Sequence, residues 1–294
     1  MKLRVLRYFL AIINEQNISR AAAKLHVSQP TISRQIHELE TELGTHLFER
    51  GNKTIKLTAD GEYLANQASQ ILTLTNKTIA NIGKNNEVTG SIFIGCSEAP
   101  MLGTIADVIK QLNRIAPKIS ITLHSCAANE VHHKMQNGVF DFGFVLEPFD
   151  KTKYNFLTLP GITRWGVLTD RHSSLATKSQ IKVADLINKP VIMPGRPNSQ
   201  TLLTNWLGQS NLKFQVVANY NLLNNAAILA KHGVGHVLCL DGIVNTAQTN
   251  LIFIPLDPKI NIHANLIWSK ERLLSHAAQL FLTQLKIILQ HNNY

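Results

Sequence analysis

Gln29, Thr31, Ser33, Arg34 and Gln35 crowd one end of a segment whose other positions are patterned for burial, with Ile32, Ile36, Leu39 and Leu43 at helical spacing. Compact donors and acceptors gathered at one helix end are the chemistry that pairs with base edges and phosphates of double-stranded DNA. Ser28 and Pro30 complete the set: Ser28 as an N-cap, Pro30 in a first turn whose N–H groups have no helical partner. Arg50, Lys53 and Lys56 flank the turn signal Gly51-Asn52 between two short extended runs, which places cations over flanking phosphates. Glu38, Glu40 and Glu42 come later on the helix, where it would leave the duplex.

Other chemistries find less support. Cys96, Cys126 and Cys239 lie far apart with no C-x-x-C pair, which fits buried thiols in a reducing compartment better than a disulfide framework or a redox pair. His124, His132, His133 and Cys126 have no compact metal-ligand spacing, so no metal is expected. Gly233-Val234-Gly235 lacks the third glycine of a dinucleotide loop and opens a strand rather than a helix. No nucleophile elbow, Walker sequence or zinc-protease motif is present, so no catalytic residue and no cofactor are expected.

The elements that must position the polar helix follow from the flanking pattern. Leu3, Leu6, Phe9, Leu10 and Ile13 make a first amphipathic helix. Ser19 is expected to cap a short second helix over about 20–25, rich in alanine, and His26-Val27 to make the turn. Gly44 is expected to end the third helix. Helix, short turn, helix is the geometry that sets a second helix into the major groove, and the extended runs after Phe48 read as a small β-wing. A three-helix module that binds protein is the competing reading, disfavoured by the polar loading of the third helix.

Thr58 can cap a long helix from 59 to about 83 with an apolar stripe of Tyr63, Leu64, Ala68, Ile71, Leu72, Thr75, Ile79 and Ile82. Such a stripe needs a partner surface, either a second copy or the rest of the same chain. Beyond it, strands are expected at 90–96, 119–124 and 140–145 with helices at about 102–115 and 130–137, the β-α-β-α-β order of a parallel sheet. A second unit follows, with strands at 163–168, 190–193, 214–218 and 233–239 and helices at 201–209 and 223–231. A last strand near 262–268 and a helix over 275–290 would return to the first unit.

Ligands in open α/β sheets bind beyond the C-terminal ends of strands. That rule nominates Ser97 and Glu98 after the first strand, Ala127 and Ala128 after the second, and Glu147 after the third, where the first lobe crossing is expected. In the other lobe it nominates Pro194, Arg196, Asn198 and Ser199, at a helix start where N–H groups favour anions. Glu98 and Glu147 would oppose a strongly anionic ligand unless Arg196 offsets them.

Ser19-Arg20-Ala21-Ala22, Leu25 through Ile36, Leu39-Glu40, Leu43-Gly44, Leu47-Phe48-Glu49-Arg50 and Leu57 through Gly61 together resemble the N-terminal signature of LysR-type transcriptional regulators. The resemblance implies an α/β chain in three parts: a winged helix-turn-helix over 1–58, a linker helix for dimerisation over 59–88, and an effector domain over 89–294 similar to periplasmic binding proteins. Its lobe I would span about 90–160 and 267–294, and lobe II about 163–266. It also implies a homodimer or homotetramer, an operator that is an interrupted inverted repeat, a small-molecule effector, and RNA polymerase as a further partner. Positions matching Ser97, Ala127 or Ala128, and 196–199 line the family's effector pocket; this chain has alanines where many relatives place a hydroxyl.

Composition sets the frame for these readings. The 294 residues are 45% hydrophobic and 16% charged, enough for two or three real cores and too apolar for a disordered chain. The net charge of +10 fits a polyanion or acidic partner, but residues 1–90 hold 11 Lys/Arg against 8 Asp/Glu and the remainder 18 against 11. Placement, not net charge, therefore carries the DNA reading. The N-terminal apolar run is too short for a signal peptide, and no stretch approaches the twenty apolar residues of a membrane span, so the chain is expected in the cytoplasm with no membrane partner. An enzyme and a solute-binding protein are the competing classes, the first lacking a catalytic set and the second an export signal.

Overall fold

The computed structural model describes residues 1–49, 55–82, 88–208 and 215–291, apart from the side chain of residue 198. Contacts divide the chain into two compact units, 1–86 and 87–294.

In the first unit, α1 (Leu3–Glu15) buries Val5, Leu6, Phe9 and Ile12. The second helix, α2 (Ile18–Lys24), begins earlier than expected: Asn17, not Ser19, is the cap, its side chain accepting the Arg20 N–H at 3.0 Å. Asn17 has the extended backbone a cap requires, whereas Ser19 already lies in the first helical turn. His26 takes a left-handed conformation in the tight turn. Then α3 (Gln29–Leu43) starts on Ser28, whose Oγ accepts the Thr31 N–H, and stops at Gly44 with φ +70°. Phe48 and Leu57 form an antiparallel bridge, flanked by Glu49 N–H to Lys56 O (2.9 Å) and Thr58 N–H to Leu47 O (3.1 Å). This is the base of the expected wing; its tip at 50–54 lies outside the described residues.

The long helix α4 (Ala59–Asn81) is capped by Thr58 and packs Leu64, Ala68 and Leu72 into the core with α1. Gly61 sits so close to the wing base that a Cβ there would lie 2.1 Å from the Leu47 carbonyl oxygen. Only part of the stripe is buried. Tyr63, Ile79 and Ile82 stay exposed.

The second unit opens with β1 (Gly90–Cys96), α5 (Leu102–Ile115), β2 (Ile119–Ser125), α6 (Ala128–Gln136), β3 (Phe142–Leu146) and β4 (Tyr154–Thr158). The chain then crosses to β5 (Thr163–Asp170), a single 3-10 turn at Val183–Leu186, β6 (Pro190–Pro194), α7 (Pro197–Leu207), β7 (Gln215–Tyr220), α8 (Leu223–Lys231), β8 (His236–Leu240), β9 (Leu251–Pro255) and β10 (Asn261–Ile262). It returns as β11 (Ala264–Ser269) and ends in α9 (His276–His291).

The first sheet runs β2-β1-β3-β11-β4 and the second β10-β5-β8-β6-β7, with β9 also on β5. Each lobe's centre is parallel as expected, β2-β1-β3 in one and β7-β6-β8 in the other. Both sheets are nonetheless mixed, because β11 and β5 run antiparallel to their neighbours. In the first lobe, Ile92, Ile94, Phe142 and Phe144 pack one face of the sheet on α5 and α9, while Val131, Met135, Val145 and Ile267 fill the other face under α6.

Three expectations change. Leu146, Glu147 and Pro148 do not lead into a crossing; β4 first returns the chain to the sheet edge, and the crossing spans 159–162. β11 joins the first sheet from Ala264, so the return comes before residue 267. Finally, α7 starts four residues before 201, with Pro197 in its first turn.

Candidate functional site

The exposed start of α3 is built from the inside out. Ile32, Ile36 and Leu39 are buried and fix the helix roll, which leaves Ser28, Gln29, Pro30 and Thr31 outside with Arg34, whose side chain is 75% exposed. Neighbours preorganise these groups: Gln29 Nε2 donates to Ser33 Oγ at 3.0 Å, and the Ser28 and Thr31 hydroxyls lie 2.7 Å apart. Ser33 is half-buried.

Gln35 stands differently. It is only 9% exposed and donates its amide to Glu38 Oε2 at 2.5 Å, so it faces the core side rather than the polar surface. The carboxylates further along have work in the fold as well. Glu40 accepts the Leu47 N–H at 2.7 Å and thereby ties α3 to the wing base, and Glu42 pairs with the Met1 ammonium. Lys56 is exposed beside the wing bridge, while Arg50 and Lys53 lie outside the described residues.

In the second unit, a cleft of about 1000 Å³, counting the space that opens to solvent, lies between the two sheets. Ser97, Glu98, Ala127, Ala128, Glu147, Pro194, Arg196 and Ser199 all line it; the side chain of Asn198 is outside the description. The strand-end rule thus gathers residues from both lobes in one place. Ser97 is buried just past β1, its N–H bonded to Phe144 O at 2.9 Å. Ala127 is the N-cap of α6 and Arg196 the N-cap of α7, so both helices begin at the cleft, one from each lobe.

Glu147 is already paired: Lys151 Nζ lies 2.9 Å away and, with Asn265, holds its carboxyl below the usual carboxylate range. Tyr220 is half-buried and donates its hydroxyl to Leu238 O at 2.8 Å, and desolvation pushes its pKa up. Trp165, Tyr220, Leu240 and Ile262 also line the cleft and were not singled out from sequence. Their signal was present only as apolar strand residues, indistinguishable from core until the sheets are placed.

Burial raises all three thiols. Cys96 is pushed up to about 12, with Cys126 adding to it, and Cys126 and Cys239 are raised in the same direction, so each is a thiol at neutral pH. Folding brings together a compact group of ligand types that the sequence spacing does not show. His124, Cys126 and Glu130 bring ligand atoms within 4.8 Å of one another. The Lys134 ammonium, 2.7 Å from Glu130 and 3.2 Å from His124, already supplies positive charge there. His132 instead stacks against Tyr154, and His133 bonds Asn137. Among the described residues no helix is long and apolar enough to cross a membrane.

The model of the bacterial regulatory helix-turn-helix proteins of the lysR family matches residues 3–62, and that of the LysR substrate binding domain matches 85–288. The transcriptional regulator ClcR of Pseudomonas putida is 30% identical over 248 residues, 80% of this chain and 81% of that protein. BenM of Acinetobacter baylyi is 27% identical, covering 88% and 86%. Among solved structures, CbnR, a LysR family regulator, aligns over 98% of this chain and 99% of its own with a TM-score of 0.77 at 19% identity. CbnR in complex with its target DNA aligns over 98% of this chain and all of its own, with a TM-score of 0.76 at 19% identity.

Proposed function

The chain belongs to the LysR family of DNA-binding transcriptional regulators, and on that premise we propose how its own residues divide the work. The start of α3 reads the operator: Gln29, Thr31, Ser33 and Arg34 approach base edges in the major groove, while Ser28 and Pro30 set the helix end against the backbone. Arg50, Lys53 and Lys56 hold flanking phosphates from the wing. Gln35 acts through Glu38 and the core, not through a base.

The observation that carries this reading is the sidedness of α3, with buried Ile32, Ile36 and Leu39 on one face and exposed Gln29, Thr31 and Arg34 on the other. The exposed Ile79 on α4, with Ile82 at its C-cap, supports pairing of two copies along that helix. Two modules so joined read an interrupted inverted repeat, and two such dimers make a tetramer. The cleft of the second unit takes a small-molecule effector, held by Ser97, Glu98, Ala127, Ala128, Arg196, Asn198 and Ser199, with Pro194 shaping the wall and Glu147 part of it. Differential affinity of that effector for two lobe arrangements is what shifts transcription, with RNA polymerase as the downstream partner and the cytoplasm as the place of action.

Duplex binding by the full chain, followed by fluorescence anisotropy across a salt series, tests the reading. The expected result is a steep linear fall of log affinity with log salt, with the slope shallower by about one in Lys56→Ala if that lysine holds a phosphate. Affinity that is flat in both salt and sequence would sink it.

A further inference from the structure

We propose that the ligand of the cleft is a zwitterion, a molecule carrying one carboxylate and one ammonium on an apolar body, of which an apolar amino acid is the simplest case. The proposal rests on reading the cleft as the effector site and adds the ligand's charge pattern.

Three ionised side chains line the cleft: Glu98, Glu147 and Arg196. Lys151 neutralises Glu147 at 2.9 Å. That leaves Glu98 on one lobe and Arg196 on the other, both half-buried. Neither side chain has a hydrogen-bond or ion-pair partner among the described residues, and the two are not paired with each other. The Tyr220 hydroxyl feels both charges, Arg196 favouring and Glu98 opposing its ionisation, so the two act on one region of the wall.

Each end of a zwitterion then finds a counterpart. Its carboxylate meets the Arg196 guanidinium and the first-turn N–H groups of α7, with α6 beginning on the facing wall. Its ammonium meets Glu98. Its body lies against Trp165, Leu202, Leu223, Leu240, Ile243 and Ile262. Closing the lobes over a purely anionic ligand would bury Glu98 unpaired near a like charge; a purely cationic ligand would do the same to Arg196. Burying one partner of a charge pair alone is strongly unfavourable, whereas a zwitterion leaves neither uncompensated. Because Glu98 and Arg196 come from opposite lobes, such a ligand also bridges them.

The test is isothermal titration of the full chain with matched probes of one body: L-phenylalanine, 3-phenylpropanoate and phenethylamine, followed by the remaining apolar amino acids and their ω-amino homologues. The zwitterion is expected to bind at least about tenfold tighter than either singly charged probe. Glu98→Gln should erase its advantage over the anion, and Arg196→Gln its advantage over the amine. Ser97→Trp, which fills the cleft, should abolish binding of all.

Anion binding as tight as zwitterion binding, insensitive to Glu98→Gln but lost in Ser97→Trp, would overturn the zwitterion and leave the cleft standing as the effector site. Binding of any probe that survives Ser97→Trp would overturn the cleft reading itself. Failure of every zwitterion in the series to bind also overturns the proposal.

Discussion

Arg34 and Glu38 stand one helical turn apart on α3, with Nε 3.4 Å from Oε1, so the exposed guanidinium of α3 is held by a carboxylate of its own helix. The same Glu38 receives the Gln35 amide on its other oxygen. Any anion that recruits Arg34 has to draw it away from Glu38.

Arg34→Ala is expected to cost about 1–3 kcal/mol of operator binding if the guanidinium pairs with a base edge. Glu38→Gln should move the other way, tightening binding by about 0.3–0.5 kcal/mol, the usual worth of an exposed i,i+4 pair. Anisotropy titrations on one duplex read both. Unchanged affinity and base preference in Arg34→Ala would remove that residue from the readout.

Gly61→Ala tests the contact between α4 and the wing base. Alanine would gain about 1 kcal/mol of helix propensity, but its Cβ would fall 2.1 Å from the Leu47 carbonyl, a backbone atom that also accepts the Thr58 N–H. Overpacking costs about 1–3 kcal/mol, so a net loss of stability is expected. A denaturation midpoint equal to or above that of the parent chain would show that the approach relaxes freely.

His236 gives stability a pH dependence. Its Nδ1 lies 2.8 Å from Thr169 Oγ1, and burial, reinforced by the charge of Lys189, lowers its pKa. A histidine depressed in the folded state leaves the unfolded chain binding more protons once the pH drops below about 6.5. Its contribution is thus present above that value and lost as the pH falls toward the folded pKa. Melting temperature should decline over that window, and His236→Asn should flatten the slope. An identical slope in the variant would assign the effect elsewhere.

Ile79, 65% exposed on α4, tests the pairing face. Ile79→Glu should lower the assembly state seen by sedimentation velocity while leaving the helix content unchanged. Assembly that is indifferent to the change would place the contact on another surface.

The helix-turn-helix was legible because its signals are local: Ser28, Pro30 and Gly44 each act within one turn of where they stand. Asn17 was missed because Ser19, two residues on, is an equally good capping type, and only backbone geometry separates them. Strand ends nominated eight residues that the fold gathers along one cleft, since a parallel β-α unit puts its loops at one end. β4 and β10 escaped notice because they are edge pieces with polar residues such as Asn155 and Asn261 where alternation would be read, whereas β9, Leu251–Pro255, is apolar throughout and shows no alternation at all. Trp165 and Tyr220 stayed hidden for a different reason: nothing in a strand's own pattern says whether its apolar face meets a helix or an empty cleft. Gln35 has a side-chain type that suits DNA, but burial on the helix is not visible in that type.

The two passages between the lobes lie side by side. Leu159 N–H bonds to Ala264 O, Glu147 N–H bonds to His263 O, and β10 pairs with the start of β5, with Gly161 at φ +92° inside the first passage. Two strands laced together in this way behave as a leaf hinge. They resist stretching and sideways sliding, since either would break several bonds at once, but they bend about one line across the pair. A molecule seated between the lobes can therefore set little more than a single angle, and whatever the second unit reports is encoded in that angle.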